Sequence, residues 1–183
     1  MTTIVFTFGR FNPPTKGHEK VVRAVVETAK TLSADHEIYL SQTCKPLTDP
    51  LEWNFKRRVC ESAFKGIKIS HDQDIRTPFQ ALEHLAENYN KIVLVVGSDQ
   101  VPEFNERMAP YAEKMGLDFT IVSAGDRIDE SEDVAGISAT KMRQYAISGD
   151  KKKFYAGLPS TLKEAAKELI YKNTLKGLKL PNK

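Results

Sequence analysis

Cysteine is nearly absent from this sequence: Cys44 and Cys60 are the two in 183 residues, they form no C-x-x-C pair, and no Cys/His cluster has metal-ligand spacing. Neither a disulfide framework nor a zinc site is supported, no metal ligands are assigned, and a reducing, cytoplasmic location is expected. Long apolar runs are missing too. No stretch approaches the ~18 apolar residues of a membrane span, and Met1–Arg10 has neither a basic leader nor an extended apolar segment. Secretion and membrane insertion are not expected. Charge of one sign is also lacking, since 27 Lys+Arg against 24 Asp+Glu leave +3. Such a balance suits a small anionic ligand and falls short of the basic surface of a nucleic-acid binder. Repeats, low-complexity segments and linkers are absent, and 40% hydrophobic residues suffice for one core, so 1–183 reads as a single domain.

What is present is an alternating β/α rhythm. Runs rich in β-branched and aromatic residues recur at Ile4–Phe8, Ile38–Leu40, Ile67–Ile69, Ile92–Val96 and Phe119–Val122, with helix-length stretches between them. After Gly17, residues Val21, Val22, Val25, Val26 and Ala29 share one helical face. Asp49-Pro50-Leu51-Glu52 reads as an N-cap, a proline at N1 and a capping-box glutamate, and Thr77-Pro78 opens a helix the same way. Helices near 50–65 and 77–88 follow. Ile92–Val96 is continuous apolar sequence, as expected of a strand covered on both faces. The fold class expected is α/β: a Rossmann-like, doubly wound, five-stranded parallel sheet over about 1–150. A helical C-terminal region over about 151–176 follows, with Lys151-Lys152-Lys153 as a solvated face and a frayed end from Gly177.

The first strand ends in Phe8-Gly9-Arg10-Phe11-Asn12-Pro13-Pro14-Thr15-Lys16-Gly17-His18, and a helix starts at once. In an open α/β sheet that position offers a helix N-terminus to an anion. Neither G-x-x-x-x-G-K-[ST] nor G-x-G-x-x-G occurs, which disfavours a P-loop NTPase and a dinucleotide fingerprint. Two glycines permit close approach and two prolines stiffen the loop, while Thr15, Lys16 and His18 bring a hydroxyl, an ammonium and an imidazole to four adjacent positions. Far along the chain, Gly136-Ile137-Ser138-Ala139-Thr140-Lys141-Met142-Arg143 opens a helix that Ser138 can cap, with Ser138, Thr140 and Arg143 able to converge on an anion.

These two segments resemble the signatures of the nucleotidyltransferase superfamily, the cytidylyltransferase-like [HT]-x-G-H loop and I-S-x-T-x-x-R. Weaker likenesses are Gly97-Ser98-Asp99 to the family's G-x-D, and Asn54–Val59 to the G-E-R segment of nicotinamide mononucleotide (NMN) adenylyltransferases, with Arg58 at the arginine position. The stretch Ile147–Pro159 is similar to the tail of archaeal-type members, the closest in pattern. The resemblance implies AMP transfer from ATP to a phosphate-bearing acceptor, with pyrophosphate released, ATP as co-substrate and Mg²⁺ as its partner. NMN is the acceptor it favours.

It further implies that His18 meets the α- or bridging phosphate, that Thr15 lies beside it, that Lys16 neutralises the triphosphate, and that Arg143 with Ser138 and Thr140 holds the β- and γ-phosphates. Phe8, Gly9, Arg10, Phe11, Asn12, Gly17, Gly97 and Asp99 would contact nucleotide; Lys45, Trp53, Arg58 and Ser98 would contact the acceptor. Thr15 stands where many NMN adenylyltransferases have histidine, and Ala139 where a second hydroxyl is frequent. The alternatives are a cytidylyltransferase forming a CDP-alcohol and a catalytically idle nucleotide-binding module. No nucleic-acid or membrane partner is expected, while a homo-oligomer is compatible with the family. His36, His71 and His84 read as surface residues.

Overall fold

The computed structural model describes residues 2–125 and 137–179; Gly136 and the last four residues, parts of two of the readings above, lie outside them. In chain order the elements are β1 (Thr3–Gly9), α1 (Lys16–Leu32), β2 (Asp35–Leu40), α2 (Trp53–Ala63), β3 (Lys68–Ile69), α3 (Pro78–Ala86) and β4 (Lys91–Val96). A 3₁₀ turn (Ser98–Gln100), α4 (Val101–Lys114), β5 (Asp118–Ser123), α5 (Ala139–Ser148), α6 (Lys151–Gly157) and α7 (Glu164–Gly177) follow. The five expected strands are present. Their order is β3-β2-β1-β4-β5, with parallel β1–β4, β2–β3 and β4–β5 pairs. The chain therefore winds outward from β1 and resumes at β4 beside it, which makes the carboxyl ends of β1 and β4 the switch point of a doubly wound sheet.

The described residues form two compact units, each discontinuous in sequence. The first holds the chain up to Gly9, Lys20–Tyr39 and everything described from Ile67 to 125; the second holds Arg10–Glu19, Leu40–Gly66 and everything described from 137 onward.

In the first unit, alternation along each strand sets the packing. Ile4, Phe6, Ile92, Leu94 and Val96 bury one face against Ala81, Leu82 and Leu85 of α3 and Met108 and Ala112 of α4. The other face is served by α1, whose Val21, Val22, Val25 and Ala29 are buried. Val26, read as part of that face, is 39% exposed, because it sits at the stripe's edge. Thr77 caps α3 through the expected capping box, its partner being Gln80.

The second unit gathers α2, α5, α6 and α7. Helix α2 starts three residues later than the Asp49-Pro50 reading: Glu52 is its N-cap and makes no side-chain cap bond. The backbone of Leu51 is tied to Asn12, which holds the proline segment as a lead-in instead of a first turn. The helical C-terminal region consists of α6 and α7, separated where Pro159 restricts Leu158 to extended backbone (φ −73°, ψ 157°). Lys151, Lys152 and Lys153 are exposed, as expected. Helix α7 ends against the proline segment: a Cβ on Gly177 would lie 1.9 Å from the Pro50 carbonyl oxygen, so only glycine fits.

Leu82 is fully buried in the α3 face of the first core. Leu82→Ala is expected to lower unfolding stability by about 2–5 kcal/mol. Urea denaturation checks this, and a loss below about 1 kcal/mol would mean that α3 contributes little to the core.

Candidate functional site

Leaving β1, the chain runs Arg10-Phe11-Asn12-Pro13-Pro14-Thr15 with no sheet partner for its backbone, so side chains supply the hydrogen bonds that buried peptide groups require. The buried Asn12 side chain brackets Leu51: Nδ2 donates to the Leu51 carbonyl (3.0 Å) and Oδ1 accepts from the Leu51 N–H (2.9 Å). The Asn12–Pro13 bond is cis. Phe11, at φ 48°, holds a left-handed conformation uncommon for a bulky residue. Its buried ring stacks on His18 with centroids 4.4 Å apart and meets the edge of Phe64 at 6.2 Å.

Helix α1 opens with a capping box in which histidine fills the third helical position. Thr15 Oγ1 accepts from the His18 N–H (3.2 Å), and His18 Nδ1 accepts from the Thr15 N–H (3.1 Å). A backbone N–H can only donate, so Nδ1 is the unprotonated nitrogen and the proton of the neutral ring sits on Nε2. The Thr15 hydroxyl lies 2.9 Å from the same Nδ1. Thr15 thus fixes both the rotation and the tautomer of His18. Lys16 and Gly17 complete the first turn, where N–H groups and the helix dipole favour an anion.

Arg143 on α5 reaches back to the same loop. One guanidinium nitrogen donates to the Asn12 carbonyl (2.9 Å) and another to Thr140 Oγ1 (3.1 Å). Burial weakens its hold on its proton, Asp49 opposes that effect and Arg10 adds to it, so these charges share one neighbourhood. Ser138 caps α5, its hydroxyl accepting from the Lys141 N–H (3.3 Å).

One residue that sequence reasoning left unassigned stands out. Lys56 on α2 is wholly buried, and its ammonium donates to the Arg10 and Ser41 carbonyls at 2.6 Å each. Burial pushes its pKa down to about 8, with Arg10 assisting and Cys60, Asp49 and Cys44 opposing. Asp49 is buried as well. One of its carboxylate oxygens accepts from the Thr48 hydroxyl, and the other has no hydrogen-bond partner among the described residues. A lysine in an amphipathic helix reads as solvent-facing, so the sequence carried no signal for this placement.

The structure therefore draws Phe11, Asn12, Thr15, His18, Thr140 and Arg143 together through direct contacts. Arg10 precedes Phe11 in the chain and is tied through its carbonyl to Lys56. Lys45 is exposed at the base of a short loop closed by its backbone bridge to Asp49. Trp53 opens α2, with the Arg57 guanidinium over its ring at 5.7 Å, and Arg58 is exposed two positions past Lys56. In the first unit, Phe8 and Gly9 end β1, while Gly97, Ser98 and Asp99 leave β4, its neighbour. Of the remaining histidines, His71 and His84 are exposed and His36 is half-buried. Among the described residues no group of three or more His, Cys, Asp or Glu is placed to hold a metal ion, and no helix is long and apolar enough to cross a membrane.

Two outcomes follow from these contacts. Asn12→Ala leaves the Leu51 N–H and carbonyl without partners and is expected to lower stability by about 2–4 kcal/mol in urea denaturation; an unchanged midpoint would mean that water replaces the amide. The second concerns pH. The folded pKa of Lys56 lies near 8 and below its ordinary 10.5, so between those values the unfolded chain holds a proton that the folded chain has released. The Lys56 contribution to stability therefore rises with pH across that window and is flat below it. Melting temperatures of wild type and Lys56→Met, compared at pH 7 and pH 10, should shift in favour of wild type at the higher pH. A constant difference would show that Lys56 titrates alike in both states.

Comparison with known proteins bears directly on this arrangement. Residues 6–145 match the family described as Cytidylyltransferase-like. A Sulfurovum sp. (strain NBC37-1) protein named a probable nicotinate-nucleotide adenylyltransferase is 30% identical over 103 residues, so the match spans 51% of this chain and about half of that relative, 53%. Among solved structures, a bifunctional NMN adenylyltransferase/ADP ribose pyrophosphatase from Francisella tularensis, complexed with AMP and a manganese ion, superposes with a TM-score of 0.60. It is 17% identical, covering 96% of this chain and 52% of that one. The nicotinic acid mononucleotide adenylyltransferase of Plasmodium falciparum, complexed with NaAD, gives 0.55 at 14% identity over 96% of each chain. These structures share the fold, and with the family match covering most of its length, the chain belongs to the Cytidylyltransferase-like family of the nucleotidyltransferase superfamily.

Proposed function

We propose that this chain is an adenylyltransferase of the pyridine-nucleotide type. An oxygen of the acceptor's phosphate attacks the α-phosphorus of ATP in line, a new P–O–P bond forms, and the bond from the α-phosphorus to the α–β bridging oxygen breaks, releasing pyrophosphate. No covalent intermediate on the protein is needed. The chemistry asks for positioning and for charge complementary to the transition state, which donors fixed before substrate arrives supply best.

The observation that carries this reading is the Thr15–His18 capping box, which sets the orientation of the His18 ring and keeps the proton of its neutral form on Nε2. In the proposed reaction it donates to the α- or bridging phosphate oxygen. Lys16 neutralises the triphosphate. Arg143, anchored on Asn12 and Thr140, binds the departing β- and γ-phosphates with its remaining N–H groups, aided by Thr140 and Ser138. Mg²⁺ enters with the nucleotide as part of the substrate; the AMP and manganese ion in the Francisella structure support a divalent cation in such chemistry. The acceptor proposed is NMN, with nicotinate mononucleotide as its competitor. Names given to the relatives support both, and either would yield a dinucleotide and pyrophosphate.

Pyrophosphate release with Mg²⁺ and ATP or CTP, against NMN, nicotinate mononucleotide, phosphopantetheine and phosphocholine, tests the proposal. Turnover with ATP and a pyridine mononucleotide is the expected result. Preference for CTP with phosphocholine would replace it by the cytidylyl reading, and ATP binding without turnover by the idle module. With the active pair, His18→Ala is expected to lower kcat about 10²–10³-fold with the fold retained, as for loss of one transition-state donor. Arg143→Lys is expected to lower kcat as well, because an ammonium cannot hold Asn12, Thr140 and a phosphate in one plane. Full activity in either variant would remove that residue from the assignment.

A further inference from the structure

The buried ammonium of Lys56 is unused by the chemistry above, and its two bonds end at informative places. Strand β1 ends at Gly9 and β2 at Leu40. Lys56 Nζ donates to the carbonyls of Arg10 and Ser41, the first residue beyond each strand, where ladder pairing has stopped. One side chain thereby joins two strand exits. Immediately beyond Arg10 come Phe11, stacked on the His18 ring, and Asn12, whose carbonyl receives Arg143. A shift of the Arg10 carbonyl would pass directly to the residues that hold both proposed phosphate donors.

Packing alone does not call for lysine here. A methionine of similar length would fill the same space without the cost of burying a charge. Among the described residues, the charged and titratable groups that act on the ammonium are Cys60, Asp49, Cys44 and Arg10, of which Asp49 is the carboxylate. Two short bonds to carbonyl oxygens are what the ammonium supplies and an apolar side chain cannot.

Resting on the adenylyltransferase reading, we propose that Lys56 is a positioning residue: its ammonium clamps the Arg10 and Ser41 carbonyls and so fixes the loop that orients His18 and Arg143, without touching substrate. The methionine variant loses the clamp and keeps the stem, while arginine keeps donors at that place.

Two readouts on Lys56→Met and Lys56→Arg test this in the full chain. The first needs no substrate: amide hydrogen exchange at Phe11, Asn12, Gln42 and Thr43. It is expected to rise about tenfold or more in Lys56→Met, with α4 protection unchanged and exchange near wild type in Lys56→Arg. The second is kinetic. Lys56→Met is expected to lower kcat about tenfold or more with KM for ATP changed less than about threefold, and Lys56→Arg to recover most of kcat. Unaltered exchange together with unaltered kcat overturns the proposal. Exchange raised equally in α4, with kcat falling in step with the melting temperature, also overturns it, because the role is then structural. If Lys56→Met does not fold, Lys56→Gln, with its shorter single donor group, takes its place and is held to the same readouts. Local exchange that rises in a protein whose wild type turns over no nucleotide pair sinks the adenylyltransferase reading and leaves the clamp standing.

Discussion

A loop that leaves a buried strand carries peptide groups that no neighbouring strand can satisfy, and they must find partners or be paid for in stability. In the segment from Arg10 to Thr15 this requirement organises everything nearby. The Arg10 carbonyl is met by Lys56, the Asn12 carbonyl by Arg143, and the Thr15 N–H by His18. Asn12 turns its own amide outward to bracket Leu51. Side chains of the proposed chemistry are the same ones that complete the loop's hydrogen bonding, so solving the folding problem also aims the reactive groups.

The electrostatics follow from that geometry. Arg10, Lys56 and Arg143 are close enough to influence one another or a common carboxylate, Asp49. Like charges gathered in this way repel, and the helix dipole of α1 adds positive potential at its start. A polyanion would relieve this repulsion where a neutral ligand would not, which agrees with the triphosphate of the proposed reaction.

Sheet strands and most helices were legible because their periodicities are strong: the β-branched runs became β1, β3, β4 and β5 within one residue at each end, β2 starts three residues earlier, at Asp35, and Thr77 capped its helix as read. The start of α2 was misread because Asp49-Pro50 has the local form of a cap, while the bond from Asn12, 39 residues away, decides otherwise. Proline at 159 marked the division between α6 and α7, which the broad helical reading passed over. At the site, the two signature segments carried His18, Thr15 and Arg143. The placement of Lys56 was invisible for the opposite reason: nothing in its neighbours' sequence distinguishes an inward lysine from an outward one, and its bonds are set by the meeting of two strand exits.

The capping box also ties the proposed chemistry to a single helical turn. Helix ends fray before helix centres do, and the bonds that start α1 are those that set the His18 tautomer. A rise in temperature that opens only this turn would let the imidazole rotate and exchange its ring protons while the sheet stays intact. Heat inactivation would then begin below the melting temperature and reverse on cooling, with residual activity serving as a thermometer of one turn of helix.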